Sequence, residues 1–279
     1  MSRYYAVTVH DLAHARIAYE RGEPRDLFYR VAQALMSDAE AGRGPFSVVE
    51  GLAVLLQSWN IGYYRRAGHR FDEAHYEAIG ELLRINRSDL DRLRDRPIET
   101  LENGDRPMIE RLFDRSVAVL GPVGSAKALH LLAPRWFPIF DNYILAAYRV
   151  WGRDGRAYWR FMTAIKAQVQ MVGGEGAAGA NVVKGLDELS FCRFTLKLPE
   201  FDPPEWIELD GRAKRSPAPA AAAATADAGV AVRGWGSKSE AMRRMFEQGA
   251  SIADTARAVG VDYAFAYGVH KRWKAKGSQ

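Results

Sequence analysis

Apolar residues recur every three to five positions along most of this chain, the spacing that turns one face of an α-helix toward a core. Between residues 9 and 41 the series Leu12, Ile17, Leu27, Val31, Ala34 and Leu35 keeps that spacing, with a break near Gly22 and Pro24, and predicts two scaffold helices. GRGPF at 42–46 predicts a turn. SVVEGLAVLLQSW then begins with Ser47 and Glu50 at capping-box spacing and predicts an apolar helix. Residues 71–94 predict two helices, YEAIGELLRI and SDLDRLRD, the second capped by Ser88 and stopped ahead of Pro97. Met108, Ile109, Leu112, Val117 and Leu120 mark one face of the next. Beyond residue 141, ILAAYRVWG predicts an apolar helix. GRDGRAYWRFMTAIKAQVQMV predicts another, packed through Trp151, Tyr158, Trp159, Phe161 and Met162. After a Gly/Ala loop at 173–180, residues 182–198 close the domain with Leu186, Leu189 and Phe191 facing the core. Prolines at 199, 203 and 204 stop regular structure. The fold class expected is all-α, with a large helical domain over residues 1–212.

Residues 213–236, AKRSPAPAAAAATADAGVAVRGWG, hold almost nothing large to bury and predict a linker. Residues 237–279 predict a small three-helix module. Ser237 and Glu240 form a second capping box ahead of Met242, Met245 and Phe246, and the stretch from 251 to 274 resembles a helix-turn-helix. In that reading Ala256 sits at the helix crossing, Gly260 makes the turn, and Ile252, Val261 and Val269 complete a small core with Met242 and Phe246. Asp262 caps the second helix. Tyr263, Tyr267 and Lys271 face a groove, and Arg272, Lys274 and Lys276 meet phosphates.

Charge sharpens this division. The chain of 279 residues carries a net charge of +5. Residues 233–279 hold nine Lys or Arg against four Asp or Glu, so the excess lies in the tail and the remainder sums to zero. That distribution suits an accessory module bound to double-stranded DNA. One cysteine, Cys192, excludes a disulfide framework and a four-cysteine iron–sulfur cluster. The N-terminal residues carry charge from position 3 and no apolar run, so neither a signal peptide nor a membrane span is expected, and the expected location is cytoplasmic. The six histidines show no metal-ligand grouping; His10 and His14 share a helix face without the Glu of a zincin pattern.

The chemistry concentrates in residues 120–152, LGPVGSAKALHLLAPRWFPIFDNYILAAYRVWG. Gly121, Pro122, Val123 and Gly124 between apolar runs predict a tight hairpin joining two helices, whose outward amides can hold a phosphate oxygen. Lys127 adds charge one turn on. PRWFPIFD then delivers a carboxylate, Asp141, from an apolar stretch at the start of a new helix.

The run from Leu120 through Gly124, Ser125 and Lys127 to Ala128, followed by Asp141, Asn142, Tyr143, Ile144 and Leu145 and closed by Arg149 and Gly152, resembles the helix-hairpin-helix DNA glycosylase superfamily. The resemblance implies an enzyme that flips a modified or damaged base out of DNA and hydrolyses its N-glycosidic bond with Asp141 as the catalytic carboxylate. It implies backbone contacts from Gly121, Val123, Gly124, Ser125 and Lys127. It also places Gln57, Trp59, Asn60, Tyr63 and Tyr143 as candidates for the base pocket or for the wedge filling the gap left by the base. The family's bifunctional members carry a Lys nucleophile where this chain has Ala126, and Lys127, one position on, points about 100° away on a helix. Base excision without a Schiff base and without strand cleavage is therefore expected. The resemblance implies no cofactor and no metal beyond an alkali ion on the hairpin carbonyls. DNA repair and defence against modified phage DNA are both consistent with it.

Two other readings compete. Asp141 caps the following helix whether or not it is catalytic. Residues 116–128 could instead form a strand and a phosphate-binding loop, but Ala126 and Ala128 replace the second Gly and the Ser or Thr such a loop needs. A non-catalytic DNA-binding regulator using the hairpin and the helix-turn-helix is the remaining alternative.

Overall fold

The computed structural model describes residues 3–65, 70–174, 181–201, 204–209, 213–214 and 238–248, and positions 250, 255, 258–259, 269–270 and 273. It is mostly helical and divides into two compact units, Met1–Pro219 and Ala220–Gln279.

In the first unit α1 (Val9–Gly22) and α2 (Asp26–Glu40) form as the periodicity predicts, but they bury a different face. Leu12, Ala15 and Tyr19 on α1, with Tyr29, Ala32 and Met36 on α2, face the core, while Ile17, Leu27 and Val31 are exposed. On α2, Tyr29 and Ala32, at i and i+3, outcompete the larger aliphatics because α2 packs closely on α3 (Val48–Trp59). A Cβ on Gly51 of α3 would lie 2.5 Å from the Met36 side chain, so large residues have no room at that contact. The predicted capping box at Ser47 and Glu50 is present.

After a short turn of helix at Ile61–Tyr64 (α4), residues 73–93 form one helix, α5 (Glu73–Leu93), where two were predicted. Ser88 is no cap. Neither Gly nor Pro lies between the two predicted segments, and Asn86, which reads as a breaker, is buried with its Nδ2 donating to Leu82 O at 2.7 Å and its Oδ1 accepting from Arg115 at 3.0 Å. The helix is capped instead by Asp72, whose carboxylate accepts from His75 N.

The next element, α6 (Arg106–Leu132), is two helices meeting at Gly121, whose φ of 67° and ψ of 167° break the helical path. Only glycine takes that conformation without strain. Residues 116–120 are helical, which removes the strand that a nucleotide-binding loop requires. Then follow α7 (Asn142–Ala147), α8 (Gly155–Met171) and α9 (Val182–Ser190), which runs into a π-helical turn, Phe191–Leu196. Tyr158, Trp159, Phe161 and Met162 of α8 are buried as expected. Trp151, predicted to pack, is 69% exposed, because α8 begins only at Gly155 and leaves it in the preceding turn.

Helix α8 meets the first half of α6 at Gly155. A Cβ there would stand 2.4 Å from Glu110 O and 2.5 Å from Glu110 Cα, and the Gly155 amide donates to Asp114 Oδ1 at 2.6 Å. Backbone cannot retreat as a side-chain tip can. Gly155→Ala is therefore expected to cost about 1–3 kcal/mol and to lower the thermal midpoint by roughly 3–10 °C in circular-dichroism melts; an unchanged midpoint would mean that the two helices stand further apart.

One feature has no counterpart in the predicted elements. Arg3–Tyr5 (β1), Trp206–Glu208 (β2) and Ala213–Lys214 (β3) form a three-stranded antiparallel sheet in the order β1-β2-β3. Tyr5 pairs with Trp206, and both rings are buried against Tyr148. The predicted linker thus begins with two residues paired as strand; 215–236 lie outside the described residues.

In the second unit Lys238–Glu247 forms α10, with Met242, Phe246 and Val269 buried together and Val259 and Trp273 packed against them. The helix-turn-helix contacts read from the sequence, Tyr263, Tyr267, Lys271, Arg272 and Lys274, lie outside the described residues, as do Ile252, Ala256 and Val261. No helix among the described residues is long and apolar enough to cross a membrane.

Candidate active site

Asp141 owes its position to the segment before it. Trp136, Phe137 and Phe140 are almost wholly buried, and the Phe113 ring stacks 4.1 Å from Tyr158, whose hydroxyl donates to Pro138 O at 2.9 Å. Ile98 N donates to Arg135 O at 3.0 Å, and the His130 ring donates from Nδ1 to Phe137 O at 2.7 Å. The connector between α6 and α7 is thereby fixed along its length. It ends on Asp141, which caps α7: Oδ1 accepts from Tyr143 N at 2.8 Å and Ile144 N at 2.9 Å. Oδ2 accepts from Thr195 Oγ1 at 2.5 Å. The capping reading of Asp141 thus holds, and three donors fix its carboxylate.

A narrow cavity of about 50 Å³ opens beside it, walled by Trp59, Lys127, Asp141, Ile144, Asp187 and Phe191 among others. Lys127 had been expected at the phosphate backbone, directed away from the site. Its Nζ instead donates to the backbone oxygen of Trp59 and lies 5.9 Å from the Trp59 ring. Burial pulls its pKa down to about 8, against the carboxylates of Asp187 and Asp141, which hold it up. Ala126 and Lys127 both follow Gly121 on one helix, so the angle of about 100° between them holds; Ala126 is buried in the core and Lys127 is the one that reaches the cavity.

Of the other hairpin residues, Gly121, Gly124 and Ser125 are buried and Val123 is partly exposed. A Cβ on Gly121 would meet the Tyr63 ring at 2.7 Å, one on Gly124 the Asn60 amide at 2.7 Å, and Ser125 Oγ donates to Gly121 O at 2.8 Å. Tyr63 and Asn60 therefore pack on the back of the hairpin and do not line the cavity. Pro122 and Val123 open a helix whose first-turn amides have no partner within it. Gln57 is exposed and stands apart. Tyr143, 58% exposed, lies beside Asp141 with Lys197 Nζ 5.6 Å from its ring.

Trp59 is the predicted pocket residue that the structure does bring to the cavity. Its Nε1 donates to Arg25 O at 2.8 Å, and its ring stacks on Tyr29 at 5.5 Å. Behind it lies a cluster that the sequence reading passed over. Lys184, 6% exposed, reaches Asp187 and Glu188 at 3.3 Å each and Asp26 at 4.0 Å, with the Tyr19 ring 4.2 Å from its ammonium. Burial raises the carboxyl pKa of both Asp187 and Glu188, which Lys184 opposes. Tyr29 donates its hydroxyl to His130 Nε2 at 2.9 Å, and burial holds that imidazole neutral, its pKa pulled down to about 3. Lys184, Asp187 and Glu188 are visible in the sequence at i, i+3 and i+4, but that spacing ordinarily marks a solvated helix face.

Within the first unit, then, a fixed carboxylate, a partly buried amine and an indole surround one cavity. No family model, curated protein or solved structure matches this chain.

Proposed function

We propose that the chain is a monofunctional DNA N-glycosylase. The observation that carries this reading is the meeting of Asp141 and Lys127, fourteen positions apart across the hairpin's second helix, in one cavity under Trp59. In the reaction the bond between the sugar C1′ and the base nitrogen breaks heterolytically and the base departs with the electron pair. The ammonium of Lys127 gives the leaving base its proton. The Asp141 carboxylate stabilises the positive charge that develops on the sugar and takes a proton from the water that adds to C1′. Free base and an abasic site result; Asp141 releases its proton to solvent and Lys127 recovers one from it. The helix beginning at Pro122 offers its amides to a backbone phosphate, and Trp59 or Tyr143 provides an aromatic face against the DNA bases. Repair and defence against modified phage DNA remain the two settings for such an activity.

The direct test is to incubate the protein with genomic DNAs that carry different base modifications and to identify any released base by mass spectrometry. A free base is expected from at least one of them. Release from none, with DNA binding intact, would leave the DNA-binding regulator as the reading.

The basic second unit supplies non-specific affinity in this scheme. Truncation after Pro219 keeps β3 and the whole first unit. If the tail contacts three to five phosphates, the slope of log affinity against log salt is expected to fall by about 3 to 4, with base release from a saturating short oligonucleotide nearly unchanged. A truncated protein that keeps the full slope would assign the tail to something other than DNA.

A further inference from the structure

The turn between α7 and α8 combines three features that packing does not explain. It presents Trp151, at 69% the most exposed large apolar side chain among the described residues. Leaving a ring of that size in water forgoes most of what its burial would contribute. The same turn holds Arg149 at φ 54°, in the left-handed region. Arg149 N donates to Ala146 O at 3.2 Å and Val150 N to Leu145 O at 3.0 Å, the bonding of a helix end that glycine ordinarily completes.

Charge is the third feature. Residues 142–160 hold Arg149, Arg153, Arg156 and Arg160 against one acid, Asp154. Asp154 is engaged in capping α8, its Oδ1 accepting from Ala157 N at 2.9 Å. All four arginines are exposed. Arg149 stands 3.6 Å from Glu208, but Arg153 and Arg156 have no acidic partner among the described residues. The turn is nevertheless fixed: Arg160 Nη2 donates to Trp151 O at 2.5 Å, and Val150 beside it is buried. An indole is thus displayed from a rigid backbone among unpaired guanidinium groups.

A partner that suits this surface brings anions spaced along a chain and a flat ring for the indole. A nucleic-acid strand brings both, as phosphates and bases. Within a duplex the base faces are already stacked on one another, so the indole meets a free face only where a base is unpaired. Helix α7 has six residues, about 9 Å of rise, which sets the turn a few nucleotides from Asp141 at roughly 3.4 Å per nucleotide.

We infer that the turn Arg149–Gly152 and the start of α8 form a binding surface for an unpaired nucleic-acid strand, with Trp151 stacked on a base and Arg153 and Arg156 paired with phosphates. It shares with the glycosylase reading only the partner, DNA, and does not depend on catalysis at Asp141.

Fluorescence-anisotropy titration of the full-length protein with a labelled oligothymidylate and with a labelled duplex of the same length tests it. Trp151→Ala should lower affinity for the single strand about tenfold or more, the loss of one stacked base, and affinity for the duplex less than threefold. Arg153→Gln combined with Arg156→Gln should lower the slope of log affinity for the single strand against log salt by about 1.4, two contacts at roughly 0.7 each. These side chains are exposed, so both variants should melt as the wild type does. Asp141→Asn should bind the single strand as the wild type does, so an absence of base release leaves these results standing. Wild-type single-strand affinity in Trp151→Ala, equal losses on single strand and duplex, or an unchanged salt slope in the double variant would each overturn the inference. Poly-glutamate that displaces the oligothymidylate at equal charge would assign the surface to an acidic protein and overturn it as well.

Discussion

Replacing Asp141 with Asn is expected to lower base release by at least about a hundred- to a thousandfold, the effect of removing one preorganised charge from a developing ion. The fold should survive, because Asn caps a helix about as well as Asp and its Oδ1 can still accept from Tyr143 N and Ile144 N. DNA affinity should stay within a few fold, since the change removes charge inside the cavity and leaves the hairpin amides in place. The experiment pairs a single-turnover release assay with a binding titration. Unchanged release in the variant would remove Asp141 from the mechanism and the glycosylase reading with it. Loss of both release and binding would instead point to a collapsed site.

The second large effect concerns Lys127 and is read through pH. With a pKa near 8, the side chain is mostly an ammonium at pH 7 and loses its proton over the next two pH units. If the ammonium protonates the leaving base, release declines above pH 8, and Lys127→Met both loses that limb and slows release by about 10²-fold or more. No adduct should be trapped by borohydride. A rate that rises through pH 8, together with a trapped adduct, would show that the amine itself attacks the sugar. The same shift has a stability consequence. Because the folded pKa lies below the unfolded value of 10.5, the unfolded chain binds more protons between about pH 8 and pH 10.5, so stability rises with pH in that window. Below pH 8 the cost of burying the ammonium applies in full, on the order of 3 kcal/mol. Lys127→Met should lack this rise, which urea denaturation at pH 7 and pH 10 would reveal.

Helix existence was legible in the sequence because 3.6-residue periodicity survives even where the details shift. Which face is buried was less so. On α1 and α2 the aliphatic residues set the visible pattern, yet Tyr19, Tyr29, Ala15 and Ala32 face the core; on α2 close approach to Gly51 selects for shape and not for hydrophobicity. Asp141 was legible from the apolar run that delivers it and from its capping position. Lys127 does stand about 100° from Ala126, but the cavity wall it faces is built by α3, α7 and α9, which no local spacing reveals. Lys184, Asp187, Glu188 and His130 were invisible for another reason. Their significance lies in being buried together by helices that are far apart in the chain. The three strands, of two or three residues each, are too short to alternate detectably.

That sheet imposes an order on synthesis. Tyr5 leaves the ribosome about two hundred residues ahead of its strand partner Trp206 and of the Ser190 hydroxyl that bonds its phenol at 2.8 Å. At roughly 5–20 residues per second β1 waits about 10–40 s for its strand partner, with only Ala147, Tyr148 and Gln168 to bond in the meantime. The helices from α1 through α8 can assemble during that interval, so the last event in the first unit is the capture of its own first strand.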